Sequence, residues 1–155
     1  MAATMSSTMP SIGGDPLRPL KIMTVLDLVL LSVQGWSGDV VNLFASFPSG
    51  KPADIGGAAQ SLQAAGPGPL AIFHGIAGVL VLFLSIGIVV SAFRKSKATS
   101  LRVVSLLALI SVVVAALGGY LFVFSGFLDN GNSAQMGGAY LGAYAMTFLV
   151  LYYSK

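Results

Sequence analysis

Hydrophobic positions along the chain gather into four long runs separated by short polar or Gly/Pro-rich stretches, and each run approaches or exceeds the roughly 20 residues needed to cross a bilayer as a helix. The first extends from about Ile22 to Phe44, the second from Leu70 to Phe93, the third from Val103 to Leu128 and the fourth from Gln135 to Tyr153. The pattern predicts an all-α integral membrane four-helix bundle. Residues 1–21 hold Pro10, Gly13, Gly14, Pro16 and Pro19 among Ser, Thr and Met, with no period that buries a face, and read as a disordered cytoplasmic tail. A cleaved signal peptide is the rival reading, since Arg18 and Lys21 precede the first apolar run; Asp27, Gln34 and Trp36 interrupt that run more than an h-region allows. Residues 45–69 form the one long connection, rich in Gly, Pro, Ala and Ser; the other two are short enough to make antiparallel hairpins.

Composition sharpens this picture. The 155 residues are 55% hydrophobic and 8% charged, with a mean hydropathy of +0.88, which excludes an ordinary soluble core. Arg18 and Lys21, then Arg94, Lys95, Lys97 and Arg102, then Lys155 all fall at the same ends of the four runs, and Lys51 alone falls at the other. The positive-inside rule therefore places both termini in the cytoplasm of a multi-pass cell-membrane protein, with loop 45–69 and the turn at Asp129 outside. There is no Cys, which removes disulfides, thiolate metal sites and thiol nucleophiles. The sequence has no phosphate-binding Gly-rich loop, zinc-protease motif or nucleophile elbow, and no basic array interleaved with exposed aromatics. A conventional enzyme and a nucleic-acid partner are both disfavoured.

Polar residues within the runs are the candidates for function, because ionisable groups at membrane depth usually face a bundle interior or water. Asp27 lies about one turn inside the first run and is read as pairing with Lys21 or another cytoplasmic base, in preference to proton transfer. In the second run His74, Gly78, Val81 and Ser85 share a stripe, flanked by Ala71 and Gly75. Small residues there fit a helix-packing seam, whereas the functional reading makes His74 a metal or haem ligand, with Gly75 and Gly78 leaving room for a flat group. Met136 opens the fourth run at matching depth, and antiparallel geometry could set its thioether opposite the imidazole, although Met is also a common core filler. Gly138 and Gly142, continued by Ala145, read as a helix contact. Tyr152, Tyr153 and Trp36 read as interfacial anchors, and Gly118 and Gly119 as packing or a close cofactor approach.

Gln34-Gly35 before a long outer loop, Phe73-His74-Gly75 opening the second run, the basic inner loop, and Leu117-Gly118-Gly119 through Gly126 together resemble one four-helix half of the haem A synthase family. The resemblance covers about residues 22–153. It implies axial haem ligands near the outer ends of the second and fourth helices, which here are His74 and, where a second histidine is expected, Met136. The chain has half the family's length and no Glu, which departs from the family's oxidative chemistry. The expectation is thus a small haem b-binding, cytochrome b-like protein, serving electron transfer or haem handling beside a respiratory oxidase. A non-enzymatic accessory subunit of a larger membrane complex, without its own cofactor and with respiratory complex subunits as candidate partners, is the alternative, and a small proton-coupled transporter using Asp27, Gln34 and His74 is a further one. A homodimer would rebuild an eight-helix arrangement.

Overall fold

A computed structural model describes residues 15–46, 50–66 and 68–155. These residues form five helices: α1 (Arg18–Phe44), α2 (Ile55–Ala64), α3 (Gly68–Lys95), α4 (Thr99–Phe124) and α5 (Asn130–Tyr153). Three of them, α1, α3 and α4, are long and apolar enough to cross a membrane. The fourth run is also one unbroken helix, but its first half carries Asn, Ser, Gln and several glycines, which lowers its hydropathy.

Local chemistry explains the boundaries and where they differ from expectation. Helix α1 starts at Arg18, four residues earlier than the apolar run, because Pro19 sits in the first turn where its missing N–H costs nothing. The Asp15 side chain also accepts from the Leu17 amide at 2.9 Å and pairs with Lys21 at 2.7 Å. The expected tail therefore ends before Arg18, and its residues 1–14 lie outside the described residues. Loop 45–69 contains α2, which the apolar pattern missed; Asp54 caps it, accepting from Gly57 N at 2.7 Å. Ser46 N donates to Gly66 O at 3.2 Å and ties the two ends of this connection together. Helix α4 stops at Phe124, not Leu128, because Gly126 and Phe127 take positive φ values of 77° and 63°. Phe127 N then donates to Phe122 O at 3.0 Å, and the two rings meet edge to face at 5.6 Å. Helix α5 begins five residues before its apolar stretch because Asp129 caps it, accepting from Gly131 N at 2.9 Å and Asn132 N at 3.3 Å.

The four long helices form a ring in which α1 packs on α3 and α5, and α4 packs on the same two. The α4–α5 pair is the closest: a Cβ on Gly118 would lie 3.0 Å from Asn132 O and Met136 N, so one backbone rests on the other. Large apolar side chains such as Ile22, Val29, Ile76, Phe83, Ile110 and Leu117 point outward, while Thr24, Asp27, Ser37, Ser85, Ser105 and Thr147 are buried. This distribution reverses that of a soluble bundle and suits a lipid-facing surface. The interior is layered. Leu20, Ile88, Ala92, Leu101, Val104 and Val150 fill the end bearing the basic residues, and Leu31, Val81, Val112 and Ala143 form a second apolar layer nearer the other end.

Candidate functional site

Between and beyond those apolar layers lie two polar ones, because α1 places Asp27, Leu31, Gln34 and Gly38 on one inward stripe and α3 answers with Ser85, Val81, Gly78 and His74 in antiparallel order. At 1.5 Å per residue, Asp27 and Gln34 are about 10 Å apart along the helix.

The deeper layer centres on Asp27, which is 0% exposed. Thr147 Oγ1 of α5 donates to its Oδ2 at 3.3 Å. Ser85 of α3 faces the same carboxyl group without reaching hydrogen-bond geometry. Asp27 Oδ1 and Ser85 Oγ are left without hydrogen-bond partners. The pairing of Asp27 with Lys21 expected from the sequence does not form: Lys21 reaches out of the bundle to Asp15 instead. Among the described residues, no cation neutralises Asp27.

The outer layer is a closed polar ring. Ser37 Oγ donates to Gln34 O at 3.1 Å and lies 3.0 Å from His74 Nδ1, while Gln34 Nε2 lies 3.1 Å from His74 Nε2. With the Ser37 proton committed to the carbonyl, its oxygen accepts from Nδ1–H, and the Nε2 lone pair accepts from the Gln34 amide. A neutral imidazole serves both side chains through its two nitrogens, and Gln34 Oε1 is left buried without a hydrogen-bond partner. Gly38 makes this possible, since a Cβ there would sit 2.8 Å from His74 Cε1. Gly35 likewise leaves the place of its missing side chain to the ring of Tyr140, and Ser32 Oγ meets Tyr144 Oη at 3.2 Å.

The structure thus brings His74 together with Gln34 and Ser37, not with Met136. Met136 packs on α4, its sulfur 3.2 Å from where a Gly119 Cβ would be. The room expected beside Gly78 for a flat ligand is taken by the Gln34 side chain, whose Nε2 would be 3.2 Å from a Cβ there. Gly75 borders open space on the helix exterior, away from the ring. These residues as arranged do not fit an axially held haem, because the imidazole lone pair, the intervening space and the thioether are each engaged elsewhere. No group of three or more metal-ligating acidic or His side chains occurs among the described residues. Of the small-residue contacts, Gly142 packs against Ser111 of α4, whereas Gly138 borders open space.

Ser37, Ser85 and Thr147 are the polar neighbours of His74 and Asp27 that the sequence pattern does not assign to them; it includes Ser85 only as part of the His74 stripe. Each is a hydroxyl on the inward stripe of its helix; helical phase was the available signal, and the register between helices was not. By fold and site the chain is an all-α bundle with three helices fit to cross a membrane and a buried acid at its centre. No family model matches the chain, and neither a curated protein nor a solved structure does.

Proposed function

We propose that this is a multi-pass cell-membrane protein with four spanning helices and both termini cytoplasmic, and that it passes protons through the interior of its bundle. Asp27 is the group that takes up and releases the proton. The observation that carries this reading is the burial of Asp27 at the bundle centre with no counter-cation among the described residues, on the same stripe as the Gln34–Ser37–His74 ring. Isolated carboxylates are expensive at membrane depth, and the residues that persist there mark ion and proton paths. Helix α5, with 24 residues, is about 36 Å long and spans as a fourth helix that turns Ala143, Thr147 and Val150 inward. The basic stretch at the turn after α3, which gathers Arg94, Lys95, Lys97 and Arg102, supports the orientation.

In this reading His74 exchanges protons with the outer face through the Ser37 and Gln34 groups, and Asp27 exchanges them with the inner face when the Leu20, Ile88, Ala92, Leu101, Val104 and Val150 layer opens to water. The Leu31, Val81, Val112 and Ala143 layer separates the two, so a proton crosses only when the helices shift enough to admit water. The test is an acid-pulse or potential-driven proton uptake assay in proteoliposomes with an entrapped pH dye. Uptake by the wild type, falling to the level of protein-free vesicles in Asp27→Asn, is the expected result. Equal uptake by both proteins overturns the proposal and leaves the bundle as a packing subunit of a larger complex. Because the chain lacks Cys, single substitutions Ala53→Cys and Lys97→Cys report topology by membrane-impermeant labelling, with the former labelled from outside and the latter only after permeabilisation.

A further inference from the structure

Asp27, Ser85 and Thr147 converge from α1, α3 and α5 and supply only oxygen atoms. Two of those oxygens, Asp27 Oδ1 and Ser85 Oγ, have no hydrogen-bond partner although Asp27 is 0% exposed and Ser85 2%. Buried polar atoms are satisfied in folded proteins almost without exception, so two on facing helices ask for something between them. We infer that this centre is a Na+ site at which Na+ and a proton compete for the Asp27 carboxylate; the inference builds on the proton-path reading and names a second ion for the same site.

Hard cations take oxygen ligands, and Na+ has nearly the radius of Ca2+, with bonds of about 2.4 Å, so neighbouring oxygens of its shell stand about 3.4 Å apart. Thr147 Oγ1 and Asp27 Oδ2 are 3.3 Å apart, a separation that suits adjacent ligands. Charge selects a monovalent ion: one carboxylate plus one Na+ is neutral, whereas a divalent ion would leave an uncompensated charge in hydrocarbon. Among the described residues, no ion pair reaches Asp27 to add to the balance. The hydroxyls can present lone pairs to a cation by turning their protons to the carbonyl one helical turn back. Thr24 and Ser32 already do this, donating to Leu20 O and Leu28 O at 2.8 Å each. The exchange is balanced: Na+ enters as the carboxyl proton leaves to water on the side to which the bundle is open, and no electrons move.

Na+ that binds the folded bundle and not the unfolded chain raises the melting temperature. The probe is NaCl, titrated against choline chloride at constant ionic strength and mildly alkaline pH, with unfolding of the detergent-solubilised protein followed by circular dichroism. Above the binding midpoint the expected rise is about 4 °C per tenfold step in Na+. Asp27→Asn loses the rise, and Ser85→Ala and Thr147→Val shift its midpoint about tenfold upward. Ser105→Ala, which removes a buried hydroxyl bonded to Arg102 O at 2.9 Å on α4, keeps it. Identical melting in NaCl and choline chloride, a rise retained by Asp27→Asn, or an equal rise in KCl overturns the inference. Proton uptake measured in Na+-free buffer separates the two ideas. Uptake without a Na+ response removes the Na+ site and keeps the proton path, and a Na+ response without uptake does the reverse.

Discussion

Gly118 offers the sharpest quantitative test of the bundle, because the expected sign of a Gly→Ala change differs between positions on the same pair of helices. Within a helix, Ala gains roughly 0.5–1 kcal/mol over Gly from conformational entropy. At Gly138 and Gly75 a new Cβ meets nothing within 4 Å, so that gain stands alone. At Gly118 the Cβ would lie 3.0 Å from Asn132 O and Met136 N and 3.3 Å from Met136 Cα. All three are backbone atoms of α5, which cannot rotate away, so α4 and α5 must separate by a few tenths of an ångström along their tightest contact. Overpacking of that kind costs about 1–3 kcal/mol. Set against the helix gain, Gly118→Ala is destabilising by about 1 kcal/mol, and it falls about 2 kcal/mol below Gly138→Ala. That gap corresponds to several degrees in melting temperature at this chain length. Circular dichroism melts of both variants in one detergent measure it. A Gly118→Ala protein that melts at or above Gly138→Ala would refute the α4–α5 backbone contact.

Gly38→Ala pushes a methyl group against His74 Cε1, 2.8 Å away, and is expected to turn the imidazole out of the Ser37–Gln34 ring; proton uptake in vesicles should fall while the melting temperature changes little. Asp129→Ala removes the side chain that caps α5 and should cost about 1 kcal/mol, seen as faster amide exchange over residues 130–133 with α3 unaffected. The Lys21 hydrogen bond holds the exposed Asp15 carboxyl below its ordinary value of 3.8. A lowered folded-state value means the contribution is complete above the unfolded value and is lost as pH falls through the folded one. Protection of the first turn of α1 should therefore persist through neutral pH and disappear only below about pH 3.8; loss of protection near pH 6 would contradict it. An absorption spectrum of protein from haem-replete cells should show no Soret band, since His74 is already committed at both ring nitrogens; a band lost in His74→Ala would replace the proton-path reading with the cytochrome one.

What could be read from the residues was decided by how local the governing physics is. The four apolar runs depend only on composition over some 20 positions, and each proved to be a helix. The ends depend on single side chains: Asp54 and Asp129 cap α2 and α5, and such caps are visible as motifs only once a helix is suspected behind them. In α2 the alanines and glycines gave no apolar face to raise that suspicion. Asp27 shows the harder case. Its distance in sequence from Lys21, six residues, made an ion pair the economical expectation, yet six residues are about 1.7 turns and helical phase sets the two on different faces, and Asp15, available from outside the helix, takes the lysine. The stripe of Asp27, Leu31, Gln34 and Gly38 was present in the sequence all along, as was that of His74, Gly78, Val81 and Ser85. What one sequence lacked was their antiparallel register, and that register alone turns Gly78 from a space for a flat ligand into a seat for Gln34, and Ser85 from a packing residue into a neighbour of Asp27.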